Sequence, residues 1–141
     1  MPSAAARGSY YQAKTKRYLQ DRGFVVEPLQ LYGWIHTSHG WRPVKRDSFG
    51  ADLLAVNASA LWFVQVKSGA TWRSGLAAAR QAFARYPLGP GCSQVIIGWP
   101  PRAREPEIEI CAVGPKAAGG PVRVPPRRTP KVLPLFATAR R

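Results

Sequence analysis

Two short apolar runs, residues 51–56 and 61–68, flank the turn-forming stretch Asn57-Ala58-Ser59-Ala60. Runs of this length joined by so short and polar a connection predict an antiparallel β-hairpin. Strict alternation over 61–68 sets Trp62, Val64 and Val66 on one face and Phe63, Gln65 and Lys67 on the other. Gln65 and Lys67 thereby become neighbours in space. Asp52 heads the first run and is drawn toward them when the strands pair.

The rest of the body arranges itself around this hairpin. Tyr11, Thr15, Tyr18 and Leu19 recur at helical spacing between Ser9, a candidate N-cap, and the stop signal Gly23. Gln12 borders that apolar stripe and can look inward, whereas Lys14, Arg17 and Asp21 mark a solvated face. A short strand is expected at 24–27. Residues 28–50, bearing Gly, Trp and His, show no usable period and are expected to be partly loop. Leu76, Ala79, Phe83 and Tyr86 predict a second helix over 74–86, closed by Pro87, Gly89, Pro90 and Gly91. Strands at 94–99 and 107–113 complete an α/β chain of order αβββαββ, give or take one strand.

The 141 residues suit a single core, and 45% apolar content excludes wholesale disorder. Lys and Arg number 21 against 7 Asp and Glu, a net charge of +14 that favours a polyanionic partner. Residues 114–141 hold seven of those basic residues, six prolines and no acid, a basic tail too proline-rich for a helix, in which 132–136 could dock locally. The body, 1–113, keeps 14 basic against seven acidic residues and is itself basic at +7. Neither a long apolar span nor a hydrophobic leader is present, so a cytoplasmic protein without membrane attachment is expected. Cys92 and Cys111 are too few for a disulfide scaffold and read as small core residues. His36 and His39 sit among Gly33, Ser38 and Gly40 and read as plain loop histidines, not as metal ligands.

Asp52, Gln65 and Lys67 suit phosphodiester chemistry. Magnesium takes hard oxygen ligands, commonly one or two carboxylates with water and phosphate oxygens completing the shell. Asp52 can supply the anionic ligand, Gln65 its amide oxygen and Val66 its main-chain carbonyl. Lys67 can hold the attacking water or offset charge that develops on the phosphate. Just before them, Trp34, Trp41, Arg42, Lys45 and Arg46 interleave aromatic and basic side chains, a pattern suited to phosphates and to stacking on unpaired or junction bases. The alternative for the two Trp rings is that they pack this segment down. Arg73 and Arg80 on the second helix are candidate DNA contacts, with scattered surface arginine the plainer outcome. Nothing resembles a base-reading helix or finger, so recognition is expected through shape and phosphate. Neutralising about five phosphates would set a log–log salt slope of about −4.5.

The segment from Asp47 to Val56 with its Gly50-Ala51-Asp52, then a turn, then Phe63-Val64-Gln65-Val66-Lys67-Ser68, all after an N-terminal helix, resembles the PD-(D/E)xK nuclease superfamily. Within it the chain is similar to the archaeal-type Holliday junction resolvases. Arg7-Gly8, Gln12, Gly23-Phe24, Gly50-Ala51-Asp52 and Gln65-Val66-Lys67 fall on that family's landmarks over residues 7–113. The resemblance implies a restriction-endonuclease-like αβββαβ core, a mixed central sheet flanked by helices. It implies a homodimeric endonuclease that uses magnesium, with manganese able to substitute, to resolve four-way DNA junctions by paired nicks. Catalytic roles then fall to Asp52, Gln65, Lys67 and Gln12, and metal contacts to Asp52, Gln65 and Val66. Arg7, Lys14 and Ser68 join Arg42, Lys45, Arg46, Arg73 and Arg80 as DNA contacts, and Trp99, Ile108 and Ile110 are candidates for a dimer interface.

The chain departs from the family at two positions. The helix-one Glu is Gln12 and the Glu-x-Lys is Gln65-Val66-Lys67. Each exchange removes a charge, so metal should bind weakly until the substrate phosphate arrives, with Asp47 or Glu27 placed to compensate. Two other readings fit the sequence: a nuclease of the same superfamily that cuts flaps, ends or duplex, and a basic architectural or single-strand-binding protein that keeps the fold without the reaction. A ribosome-associated basic protein fits the composition but leaves the Asp52, Gln65 and Lys67 arrangement to chance.

Overall fold

A computed structural model describes residues 2–115; most of the basic tail, including 132–136, lies outside the described residues. Helix α1 (Ala4–Gln20) starts well before Ser9. Ser3 is the N-cap, its side chain accepting the Ala6 N–H at 3.2 Å, and Ala4, Ala5 and Ala6 are strong helix formers that carry Ser9 into the interior. Gly23, at φ 86°, ends the segment as expected.

The strands follow as β1 (Val25–Pro28), β2 (Gln30–Thr37), β3 (Gly40–Asp47), β4 (Leu53–Val56) and β5 (Leu61–Ser68). A 3₁₀ turn (Trp72–Gly75), α2 (Leu76–Ala84), β6 (Cys92–Trp99) and β7 (Glu107–Val113) complete the chain. Five strands form one sheet in the order β1-β4-β5-β6-β7, antiparallel except for the β5–β6 pair, whose parallel pairing requires the crossover that α2 supplies. The architecture is therefore α/β with a mixed sheet and two helices. Among the described residues no helix is long and apolar enough to cross a membrane.

The expected hairpin is the β4–β5 pair. Its turn is closed by the Asn57 side-chain oxygen, which accepts the N–H groups of Ser59 and Ala60 at 2.9 and 2.8 Å. The second helix starts later than expected because Ser74 and Gly75 belong to the 3₁₀ turn, and it stops short of Tyr86. The larger correction concerns residues 28–50. Most of them form a regular two-stranded ribbon, β2 with β3, in register from Gln30↔Asp47 to Thr37↔Gly40, and only short turns such as 38–39 and 49–50 are left outside strands. No strand residue of it is buried, so hydropathy carries no alternation there to betray the strands.

Each face of the sheet has its own core. Leu19 of α1 packs with Val26, Leu53, Val64, Val95, Ile97 and Trp99 on one side; Trp72, Ala79 and Phe83 pack with Ala51 and Ile96 on the other. Phe63 joins the second cluster and Trp62 and Val66 the first, which is the alternation read from the sequence. Trp99 is buried, its indole N–H donating to Thr15 Oγ1 at 2.8 Å. It cannot contribute to a dimer interface, whereas Ile108 and Ile110 on the edge strand β7 are exposed. Gln94, also buried, donates from its amide to the carbonyls of Phe83 and Tyr86 and so pins the end of α2 to the sheet.

Candidate functional site

The site begins at the turn that returns the chain from the ribbon to the sheet. Ser48 and Ala51 form a bridge, the Ala51 N–H reaching the Ser48 carbonyl at 3.0 Å, with Phe49 and Gly50 between them at φ 57° and 68°. Two successive positive φ values make this a type I′ turn. At Gly50 the conformation is matched by a close approach: a Cβ there would lie 3.2 Å from the Ala82 carbonyl carbon on α2. Phe49 bears the left-handed conformation against its β-carbon, and its ring is held between Phe63 and Tyr86 at centroid distances of 5.4 and 5.5 Å.

Asp52 follows immediately and is fixed at every polar atom. Its N–H donates to the Val64 carbonyl at 2.8 Å, and its own carbonyl accepts the Leu29 N–H at 2.9 Å. Oδ2 accepts the Val66 N–H at 2.8 Å, and Oδ1 accepts from the Gln30 amide at 3.1 Å. The same Gln30 nitrogen donates to Asp47 Oδ1 at 3.2 Å, so one amide bridges two carboxylates. With Asp52 only 4% exposed, burial pushes its carboxyl above the ordinary range and the Asp47 charge adds to this; the Val66 N–H, Gln30 and Lys67 pull the other way.

Gln65 and Lys67 project from β5 into a cleft of about 300 Å³ between the sheet and α2, with Asp47, Gly50, Arg85 and Tyr86 on its walls. The cleft exists because α2 presents Ala78, Ala79 and Ala82 opposite those long polar side chains. Asp52 lies beside it, tied through Gln30 to Asp47 on its wall. The structure thus brings together Asp52, Gln65, Lys67 and Asp47. Arg85 and Tyr86 join them although neither was expected at the site; Ala78, Ala82 and Arg85 at helical spacing were the available signal. Gln30 carried no signal at all, because its part depends on the register of a ribbon that hydropathy does not show.

The other expected residues divide. Gln12 is half-buried on α1, which packs on the face of the sheet away from α2, and it is not among the residues lining the cleft. Arg7 and Ser68 both line a second hollow, of about 550 Å³, between α1 and the end of β5. Lys14 is occupied: its ammonium donates to the Ala103 carbonyl at 3.0 Å and sits 4.2 Å from the centroid of the Trp99 ring. Arg73 is paired with Glu107 and Arg80 with Glu109. Arg42, Lys45 and Arg46 are exposed on β3. Trp34 and Trp41 are each 67% exposed, so they do not pack the ribbon down. His36 stands on β2 with its ring edge-on to Trp41, and His39 lies in the ribbon's turn. Glu27 is exposed on β1, outside the cleft lining. Cys92 and Cys111 are half-buried, and burial raises the Cys111 thiol above its ordinary value, as suits a packing residue.

The donors at the cleft fit a hard cation in kind: two carboxylates and an amide oxygen. Among the described residues no three His, Cys, Asp or Glu side chains converge. A magnesium ion here would therefore take much of its shell from water and phosphate. No family model, curated protein or solved structure matches the chain, so the site is read from its own geometry.

Proposed function

We propose that this protein is a metal-dependent endonuclease with a restriction-endonuclease-like core, acting on branched DNA and, as a homodimer, resolving four-way junctions by paired nicks. The hydrogen bond from the Val66 N–H to Asp52 Oδ2, 2.8 Å long, supports this reading most, because it fastens the carboxylate to the residue between Gln65 and Lys67.

A bound magnesium ion supplies charge neutralisation at the scissile phosphate and lowers the pKa of a water. Asp52, Gln65, the Val66 carbonyl and Asp47 are the groups that would hold it. Lys67 orients the water or offsets charge on the departing oxygen, and Arg85 on the cleft wall binds a phosphate oxygen. Arg7 and Ser68 in the second hollow take a flanking phosphate. Ile108 and Ile110, exposed on the edge strand β7, would join two protomers.

The test is incubation of an immobile four-way junction, a flap and a linear duplex with magnesium. Paired symmetrical nicks in the junction are expected, abolished by Asp52→Asn and by Lys67→Ala while junction affinity changes by no more than about threefold. Full cutting by purified Asp52→Asn would end the assignment. The small number of converging carboxylates favours a second reading, a DNA-binding protein that has kept the fold and not the reaction. Tight junction binding with no cleavage under magnesium or manganese would establish that reading instead.

A further inference from the structure

Cross-strand partners in an antiparallel pair share a face, so the β2–β3 register sorts the ribbon's side chains into two sets. One face carries Tyr32, Trp34 and His36 on β2 opposite Lys45, Pro43 and Trp41 on β3, and it ends at Gln30 and Asp47 beside Asp52. The other carries Leu31, Ile35 and Val44 with Arg42 and Arg46. On the first face Tyr32 is 78% exposed and Trp34 and Trp41 are each 67% exposed. Large rings grouped in water on one side of a projecting ribbon mark a surface kept for a partner.

We infer that this face is a stacking platform for single-stranded DNA, which it leads toward Asp52. Alternate residues of a strand lie about 6.6 Å apart, roughly twice the ~3.4 Å rise of successive bases. One unpaired base therefore fits between Tyr32 and Trp34 and another between Trp34 and His36, a ladder that a closed duplex cannot enter. Between Gln30 and Asp47 the ribbon carries three basic residues (Arg42, Lys45, Arg46) and one acid, Asp47, which is already engaged by Gln30 at its root. That charge calls for a polyanion. A second copy of the chain offers it little: Glu105, Glu107 and Glu109 are paired within the protomer with Arg22, Arg73 and Arg80, Gln30 engages Asp47 and Asp52, and only Asp21 and Glu27 remain exposed without an ion pair among the described residues. The choice of DNA and the direction of the strand rest on the nuclease reading; the stacking does not.

Fluorescence anisotropy with the full chain, chelator in place of metal, and a labelled oligothymidylate or a duplex of equal length tests this. The single strand should bind more tightly than the duplex. Tyr32→Ala and Trp34→Ala should each weaken it on the order of tenfold with the salt slope unchanged, Trp34→Phe retaining most of the affinity. Lys45→Ala should instead make the slope shallower by about 1. Leu31→Ala and Ile35→Ala, on the other face, should shift affinity by less than about twofold. Unchanged single-strand affinity in Tyr32→Ala and Trp34→Ala, or a larger loss in Leu31→Ala, overturns the inference. So does conversion of a dimer to a monomer by Trp34→Ala in sedimentation, which would show that the rings seat a second copy. Chelator excludes metal-dependent cleavage from this measurement, so a failure of cleavage and a failure of stacking are read separately.

Discussion

Asp52 combines a carboxylate with surroundings that resist its charge. Because burial raises its pKa in the folded protein, the folded chain holds that proton more tightly than the unfolded chain does. The sign follows: in metal-free protein the proton-linked stability is present at pH values below the ordinary carboxylate range and is lost as pH rises through the raised value. Asp52→Asn should abolish this loss, melting above the parent at neutral pH and converging with it in acid. Thermal melts in chelator across the acid range measure it, and a parent that gains on the variant as pH rises would show that Lys67 and the Val66 N–H outweigh burial. The positions of Asp52, Gln65 and Lys67 were legible because a period of two fixes which side chains on a strand are neighbours. Gln30 was not, since an amide that bridges two acids looks like any other polar residue until the pairing of its strand is known.

Among the elements, the turn from Ser48 to Ala51 sets the geometry of the cleft. Gly50→Ala places a β-carbon in a left-handed conformation, at a cost of roughly 1–2 kcal/mol, and drives it against Ala82 besides, 3.2 Å from the carbonyl carbon. Urea unfolding should therefore show a loss of about 2 kcal/mol or more, and a loss below about 0.5 kcal/mol would mean that α2 yields freely. Hydropathy showed the β4–β5 hairpin because its apolar runs pack into both cores, and β7 because Glu and Ile alternate along it, although no residue of β7 is buried. It missed the β2–β3 ribbon because both faces are wet, and it started α1 late because the alanines before Arg7 help a helix without marking a buried face.

At the scale of the whole molecule, charge is the property that composition reports best. Three of the seven acids fall at Glu105, Glu107 and Glu109 and are paired with arginines of the turn after α1, the 3₁₀ turn and α2. That balances three arginines and leaves, among the described residues, the basic side chains of the ribbon, the cleft, α1 and the β6–β7 connection outside any ion pair. Composition fixed the sum but not this distribution, which depends on which strand lies at the sheet edge. The described fold closes at Gly114, whose N–H donates to the Cys92 carbonyl at 2.8 Å. Truncation after Pro115 should leave the melting temperature unchanged while making the salt dependence of junction binding shallower, since it removes seven basic residues. Equal slopes with and without those residues would show that they touch no phosphate.

Gln30 belongs to two structures at once: its main chain opens the ribbon and its amide grips the buried acid. The arm cannot tilt as a rigid body without tugging on that grip or forcing the amide to swivel. A strand grasped at the tip would thereby be geared to the aim of the carboxylate at the base, as jaw to hinge, through one neutral side chain.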